Sequence, residues 1–404
     1  MITCRAGRPK STGPTRERPF LPDHAASRPV HVLGRDGGSG IDAPTARLGA
    51  FLARDGSAGA DVGIDVDRPH AGVVVGKRGT GKSYTLGVLA EGLADAPGVA
   101  PVVVDPMGVF GGLEAAGGQV VDPAVRPAAI PPSAWPAMLA LDPAGGPGGL
   151  LWRVVADATD RAERGAPSMD AFRDAIADSD APSRTRRAAR NHLDLAASWG
   201  VFDADAPPVA ALVHGGGPSV IDLAGVPDTA AGAVVRAVAR GLYDARIDGI
   251  VERLPWLLVD EAHAFFDGIA DPALRTLLTR GRAPGVSLVC ATQRPGVLPS
   301  VAVSQSDLLV AHRLTAERDV ARLSEAEATY LAGDIASRLP AGTGEALVVD
   351  DATEEVHTVR VRERRTPHGG GSPRASRTAP ARRSAGEERP ETPSAPPGGD
   401  SSAE

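Results

Sequence analysis

The feature that most constrains the fold of this chain is a glycine-rich octapeptide between an apolar run and a helical pattern. The octapeptide, Gly76-Lys77-Arg78-Gly79-Thr80-Gly81-Lys82-Ser83, has the spacing G-x-x-x-x-G-K-[ST]. Three valines precede it, and residues 84–93 follow with helical periodicity. Glycines let backbone N–H groups turn toward phosphate oxygens, and the N-terminus of the following helix adds partial positive charge. The pattern predicts a strand, a phosphate-binding loop and a helix; the alternative is a chance glycine-rich turn.

The side chains of this P-loop, or Walker A motif, indicate which ligand it binds. Lys82 is placed to reach the β- and γ-phosphates of a nucleotide, and the Ser83 hydroxyl suits a Mg²⁺ ion. We therefore expect ATP and Mg²⁺ as cofactors. The residues predicted to bind the nucleotide are Gly76, Lys77, Arg78, Gly79, Thr80, Gly81, Lys82, Ser83 and Tyr84.

A second apolar run, 255–259, ends in the two carboxylates Asp260 and Glu261. Beside a P-loop, such a pair (Walker B) predicts Mg²⁺-dependent ATP hydrolysis. Asp260 would hold the metal ion and Glu261 would polarise the attacking water. The alternative is that these acids only favour the start of a helix over 260–266.

A third apolar run, 286–291, leads to Gln293, which we predict to contact both the γ-phosphate and the attacking water. An ordinary turn at the end of a strand is the alternative. Upstream, Arg280 and Arg282 lie at the end of a helical stretch. Either arginine is predicted to cross a subunit boundary and stabilise charge on the transferring phosphoryl group, although surface arginines are common in this chain.

Asp105 is a weaker candidate for a residue near the nucleotide. It ends the apolar run that follows the P-loop helix, and Pro106 comes next. Turn formation at this Asp-Pro pair explains the residue equally well.

Short apolar runs alternate with helical patterns between the two ends of the chain, which predicts an α/β fold with a mainly parallel sheet. An amphipathic helix is predicted over 228–246, capped by Asp228 or Thr229. The predicted strands are 72–75, 101–104, 219–223, 256–259, 287–291, 308–311 and 346–349. The predicted organisation is a disordered leader (1–27), a short β-rich segment (28–67), a P-loop domain (68–365) with a helical insertion (133–200), and a disordered tail (366–404).

Composition excludes several classes of protein. Apolar residues make up 42% of the chain and charged residues 23%, as in a globular protein with a core. No run approaches the ~18 apolar residues of a membrane span, and no signal peptide precedes the fold, so we expect a cytoplasmic chain without membrane contact. Cys4 and Cys290 are too few for a disulfide framework. The net charge of −7 means that any contact with DNA must use a local basic patch.

Taken together, these motifs resemble the HerA–FtsK group of ring-forming motor ATPases, and most closely its HerA branch. The resemblance covers about 68–362 and implies a RecA-like core, a homo-hexameric ring, ATP-driven movement of double-stranded DNA and a NurA-type nuclease as a partner. In this family a glutamine strand and a trans-acting arginine complete a nucleotide site shared between subunits. Besides the P-loop, the resemblance rests on the blocks 104–108, 220–223, 258–263, 281–286, 291–295, 303–305, 313–315 and 344–346.

The sequence also departs from the HerA pattern. Only 28–67 precede the core, with strands expected at 30–33 and 59–66, which are too few to close the family's N-terminal β-barrel. The block 105–110 lacks the family's His and Glu, and Pro69 separates the family's Arg-His pair. The main hypothesis is an ATP-hydrolysing DNA translocase or helicase. The alternative is a nucleotide-switched assembly or regulatory ATPase that does not translocate DNA.

Overall fold

Strands from both ends of the chain join one sheet in the computed structural model, which describes residues 30–35, 42–161, 167–326, 338–350 and 354–371. The twelve strands have the spatial order β1-β3-β2-β12-β11-β10-β4-β9-β8-β5-β7-β6. They are β1 (His31–Leu33), β2 (Thr45–Leu52), β3 (Ala58–Asp65), β4 (Ala71–Val75), β5 (Val99–Asp105), β6 (Gln119–Val121), β7 (Ser219–Asp222), β8 (Leu254–Val259), β9 (Ser287–Thr292), β10 (Leu308–Ala311), β11 (Glu345–Asp350) and β12 (Glu355–Val361).

The half of the sheet from β10 to β6 is parallel, and it contains the strand that leads into the P-loop. That strand, β4, lies between β9 and β10, and β9 separates it from β8. The carboxyl ends of β4, β8 and β9 therefore meet at one edge of the sheet. All seven strands predicted from the sequence are present, because runs of valine, leucine and isoleucine suit strands covered on both faces.

Helices cover both faces of the parallel half. Alternate residues of β4 point to opposite faces, so Val73 and Val75 join one apolar cluster while Val74 joins the other. No helix in the described ranges is both long and apolar enough to cross a membrane. The helices are α1 (Lys82–Asp95), α2 (Ala134–Met138), α3 (Gly146–Asp160), α4 (Met169–Ala177), α5 (Ser183–Ser198), α6 (Asp228–Ile247), α7 (Asp271–Arg280), α8 (Ser300–Ser304) and α9 (Glu317–Ala326).

The amphipathic helix predicted over 228–246 is α6, but its predicted cap is wrong. The residue before the helix is Pro227, and no side chain makes a capping hydrogen bond. Asp228 is instead the first helical residue, where its negative charge is favourable beside the positive end of the helix dipole. The region predicted to be mostly helical contains α2 to α5, and Trp135 and Phe172 pack edge-on in its core with ring centroids 5.5 Å apart.

The N-terminal strands are continuous with the main sheet. The strands expected at 30–33 and 59–66 are β1 and β3, and β2, which the sequence analysis missed, pairs with β3 in an antiparallel hairpin. β12 then joins β2 to β11. The small residues of β2 (TARLGAFL) explain why it was not predicted.

The boundary predicted at Thr366 is wrong, because the chain remains packed beyond it. We call residues 362–369 the C-terminal strap. The side chain of Thr366 is buried, and its N–H and hydroxyl both donate to the carboxylate of Glu91 on α1, at 2.9 and 2.7 Å. The N–H of Gly369 donates to the carbonyl of Val109 at 3.2 Å. The predicted leader 1–27 and the tail beyond Gly371 lie outside the described residues.

Candidate nucleotide-binding site

The P-loop connects β4 to α1 as the sequence predicts, and its glycines are required by space and by backbone conformation. A Cβ atom on Gly76 would lie 2.6 Å from the Cβ of His312, which leaves no room for a side chain. Gly79 has a φ of 78°, which is a left-handed backbone conformation that is unfavourable for residues other than glycine. The loop thus has the open backbone that a phosphate-binding turn needs.

Backbone hydrogen bonds connect the P-loop to the segments that follow β10 and precede β11. The N–H of Lys77 donates to the carbonyl of Arg313 at 2.9 Å, and the N–H of Gly344 donates to the carbonyl of Thr80 at 3.1 Å. These contacts fix the loop on both sides. They depend on residues more than 200 positions away along the chain, so no local pattern could have predicted them.

His312 is a functional candidate that the sequence analysis missed. It is fully buried, and its Nδ1 donates to the carbonyl of Glu345 at 2.8 Å. Since a carbonyl only accepts, Nε2 is unprotonated and accepts from the Thr85 hydroxyl at 2.9 Å. Burial lowers the pKa of His312 to about 4, so the imidazole is neutral at pH 7. The only signal in the sequence was a lone histidine at the end of an apolar run.

Lys82 lies inside the loop with only 5% of its surface exposed. Its Nζ donates to the carbonyl of Lys77 at 3.3 Å. Burial lowers the pKa of Lys82, while the negative charges of Glu261 and Asp260 act in the opposite direction. A cation in this position is ready to neutralise the phosphates of a nucleotide.

Ser83 and Asp260 meet across the site as the sequence predicts for a Mg²⁺ centre. The Ser83 hydroxyl donates to Oδ2 of Asp260 at 2.7 Å, which joins the start of α1 to the end of β8. Burial raises the pKa of Asp260, because the carboxylate is only 1% exposed. Hydroxyl and carboxylate oxygens are ligands that Mg²⁺ prefers, so this pair fits the ion.

Glu261 and Gln293 face each other at the same edge. Nε2 of Gln293 lies 3.4 Å from both carboxylate oxygens of Glu261, a long contact. Glu261 has a φ of 46°, an uncommon left-handed conformation that is typical of strained functional positions. With this backbone conformation the chain turns sharply directly after Asp260.

His263 lies beside Glu261, a contact that nothing in the sequence indicated. Its Nδ1 lies 3.3 Å from Oε2 of Glu261 and 3.1 Å from the hydroxyl of Thr292. Burial and the positive charges of Arg294 and Lys82 lower the pKa of His263. The hydrogen bond of Nδ1 is with the Thr292 hydroxyl, and the Glu261 carboxylate lies next to it.

Two residues that were predicted to bind the nucleotide, Tyr84 and Asp105, make other contacts in the structure. The Tyr84 hydroxyl accepts a hydrogen bond from the N–H of Arg364 in the C-terminal strap at 2.7 Å. Both oxygens of Asp105 accept backbone N–H groups of its own turn, from Met107 at 3.2 Å and Phe110 at 2.8 Å. Burial raises the pKa of Asp105. The structure thus favours the turn role for Asp105 and gives the Tyr84 side chain a packing contact.

Arg280 and Arg282 lie at the opposite edge of the sheet, before β9 begins. Arg282 Nη2 is 3.1 Å from Oδ2 of Asp307, and Asp307 accepts the N–H of Ala71, the first residue of β4. The P-loop is at the other end of β4, about 15 Å away at ~3.3 Å per residue. Neither arginine can therefore serve the P-loop of its own chain, which is compatible with a role in a neighbouring subunit.

Comparison with known proteins finds one matching family and several similar structures. Residues 46–242 match the model of the family described as "Helicase HerA, central domain". No curated protein matches the sequence. VirB4 of Thermoanaerobacter pseudethanolicus has a similar structure, with a TM-score of 0.62 and 16% identity over 81% of this chain and 98% of that one.

The bacterial conjugative coupling protein TrwB is also similar, with a TM-score of 0.52 and 19% identity over 83% of this chain and 98% of that one. The structure of TrwB in complex with the GTP analogue GDPNP has a TM-score of 0.52 and 18% identity, over 83% of this chain and 99% of that one. At these identities the structures show a shared RecA-like P-loop fold and nothing finer. With this fold and a family match over a little under half of the chain, the protein is similar to the HerA-like P-loop ATPases of the HerA–FtsK group.

Proposed function

We propose that the chain is a Mg²⁺-dependent ATPase that works in the cytoplasm as a ring-forming motor of HerA type and translocates double-stranded DNA during DNA processing. The observation that carries the proposal is the contact between the Ser83 hydroxyl and the Asp260 carboxylate. It joins the P-loop to the end of β8, where Glu261 follows Asp260. The family match to the HerA central domain supports the motor function.

Each side chain of the site has a distinct part in hydrolysis. Lys82 binds the β- and γ-phosphates and offsets their negative charge. Ser83 and Asp260 would hold Mg²⁺, and the bound ion would supply positive charge beside the phosphates. Glu261 accepts a proton from the attacking water, and Gln293 orients that water beside the γ-phosphate. His263 keeps the Glu261 carboxylate in place through the contact at 3.3 Å.

The shared site requires a ring of identical subunits, which we propose is a homo-hexamer. Arg282 is more than half exposed at the opposite edge of the sheet, with Arg280 exposed nearby. Head-to-tail contacts in a ring bring such a face to the P-loop of the next subunit. A NurA-type nuclease is the proposed partner in DNA processing.

One observation favours a second function, a nucleotide-switched assembly or regulatory ATPase that does not translocate DNA. The strands β1, β2 and β3 extend the main sheet through β12. Among the described residues they do not form a closed barrel of their own, which HerA proteins carry before the P-loop. The two functions share the hydrolysis chemistry and differ in whether DNA is bound.

ATPase measurements on the full chain with and without linear double-stranded DNA separate the two functions. The motor proposal expects Mg²⁺-dependent ATP hydrolysis that rises several-fold with DNA, and a hexamer mass in light scattering with ATP and Mg²⁺. Hydrolysis that is indifferent to DNA, with no DNA binding at low salt, would favour the regulatory function. A monomer under all these conditions would overturn the shared-site ring.

A further inference from the structure

Two histidines and a glutamate come together on the N-terminal part of the sheet, away from the P-loop. Glu355 and His357 are two residues apart on β12 and so point to the same face. His31 lies on β1. One nitrogen of each imidazole and one oxygen of the carboxylate all lie within 4.8 Å of one another. The cluster lies outside the site described above.

The curl of the sheet creates this cluster. β1 and β12 are separated by β3 and β2 in the strand order, yet the rings of His31 and His357 are only 5.3 Å apart. Phe51 on β2 packs against both imidazoles, with centroid distances of 5.1 Å to His31 and 5.0 Å to His357. The phenyl ring forms an apolar wall beside both histidines.

One atom of the cluster is unsatisfied. Nε2 of His357 is buried and has no hydrogen-bond partner in the described part of the chain. It lies 3.1 Å from Oε2 of Glu355, but not in hydrogen-bond geometry. A carboxylate oxygen and an imidazole nitrogen this close need a positive group between them, which is either a proton on Nε2 or a metal ion. Buried polar atoms without partners are rare, and an absent ion is one of the accepted explanations.

We propose that His31, Glu355 and His357 form a binding site for a divalent transition-metal ion, with Zn²⁺ as the best fit. Two imidazoles and one carboxylate suit zinc, whereas Mg²⁺ and Ca²⁺ prefer sites made of oxygen. Ligand atoms of a tetrahedral zinc site are about 3.4 Å apart, given bonds of about 2.0–2.1 Å. Glu355 and His357 are close to this spacing, with Nε2 3.1 Å from Oε2. The ligand nitrogen of the exposed His31 lies within 4.8 Å of both atoms, so it would have to move by at most about 1.4 Å.

The ion would link β1, the first strand of the described chain, to β12, the last one. Three protein ligands leave a fourth position for water. Because the ligands lie on β1 and β12 only, zinc is expected to stabilise the packing of the N-terminal strands. It has no direct part in ATP hydrolysis, so this inference is independent of the proposed function.

Titration of the full chain with ZnCl₂ in a calorimeter, after removal of metals by a chelator, tests the site. We expect one zinc ion per chain and a Tm several degrees higher with zinc. His31→Ala and Glu355→Gln, which change exposed side chains, should each weaken binding at least ~10-fold and reduce the gain in Tm. His357→Ala should do the same. His214→Ala is the matched control, because that exposed histidine lies outside the cluster.

Asp260→Asn distinguishes this site from the proposed Mg²⁺ centre. It should bind zinc as tightly as the wild-type chain does. The proposal is overturned if no saturable binding occurs, or if His31→Ala and Glu355→Gln bind zinc like the wild type. Binding that is lost in Asp260→Asn but kept in the cluster variants would place the ion at the P-loop and equally overturn it.

Discussion

Replacing Glu91 by glutamine should destabilise the chain strongly, although Glu91 is remote from the reacting atoms. The carboxylate is fully buried on α1, the helix that begins at the P-loop. It accepts hydrogen bonds from Arg362 at 2.7 Å and from the backbone and hydroxyl of Thr366, and it lies 3.7 Å from Arg364. The Arg364 side chain is only 1% exposed, so glutamine would leave a buried positive charge without its partner.

The expected loss follows from this burial. Removing one partner of a buried ion pair costs about 3–5 kcal/mol. At roughly 2 °C per kcal/mol for a larger domain, that loss corresponds to a fall of about 6–10 °C in Tm. Burial opposes ionisation of Glu91, but the hydrogen bonds from Thr366, Arg362 and Arg365 outweigh it and lower the pKa below 4.5. The stabilisation is therefore present above pH 4.5 and is lost as pH falls through the lower pKa of the folded state.

Urea unfolding of the wild type, Glu91→Gln and the exposed control Glu114→Gln measures the effect. The control should stay within about 0.5 kcal/mol of the wild type. A chain truncated after Arg365 should also lose stability, because it lacks the two hydrogen bonds that Thr366 donates. If Glu91→Gln and Glu114→Gln unfold at the same urea concentration at pH 7, the C-terminal strap contributes nothing and the reasoning is refuted.

Three further predictions concern the P-loop and its surroundings. Lys82→Ala should abolish ATP hydrolysis. Glu261→Gln should still bind ATP in a filter assay but hydrolyse it on the order of 100-fold more slowly or worse. Normal turnover in Glu261→Gln would remove Glu261 from the mechanism. Arg280→Ala/Arg282→Ala rings should be inactive alone, yet regain activity when mixed with Lys82→Ala rings; no recovery despite confirmed assembly contradicts a shared site. Because burial lowers the pKa of His312 to about 4, the free energy of unfolding should fall by about 1.4 kcal/mol per pH unit from pH 6.5 toward 4. His312→Gln should lack that part of the acid sensitivity in urea titrations.

The sequence predicted the parts of the fold whose physical cause is local. The central strands are runs of buried β-branched and leucine side chains, and the P-loop has a fixed spacing, so both were found. Hydrolysis candidates such as Asp260 and Gln293 were placed correctly at one edge, since parallel strands align their carboxyl ends. The roles of these residues remain predictions.

What the sequence could not predict depends on partners that are distant along the chain. The residues around Thr366 are polar and rich in proline and glycine, which is typical of a disordered tail. Their order depends on Glu91, 275 positions earlier, and no local pattern records that contact. His312 was missed for the same reason, because its partners Thr85 and Glu345 lie on other elements.

The pairing of β2 with β12 cannot form until the ribosome has synthesised almost the whole described chain. Phe51 pairs with Val359, so the ribosome adds about 300 residues between the two partners. At about 5–20 residues per second, that interval is roughly 15–60 s. During it the β2–β3 hairpin has an open edge on the side where β12 will later bind, and open edges invite pairing with other chains. Until β12 pairs with β2, this edge of the nascent chain is therefore exposed to pairing with other chains.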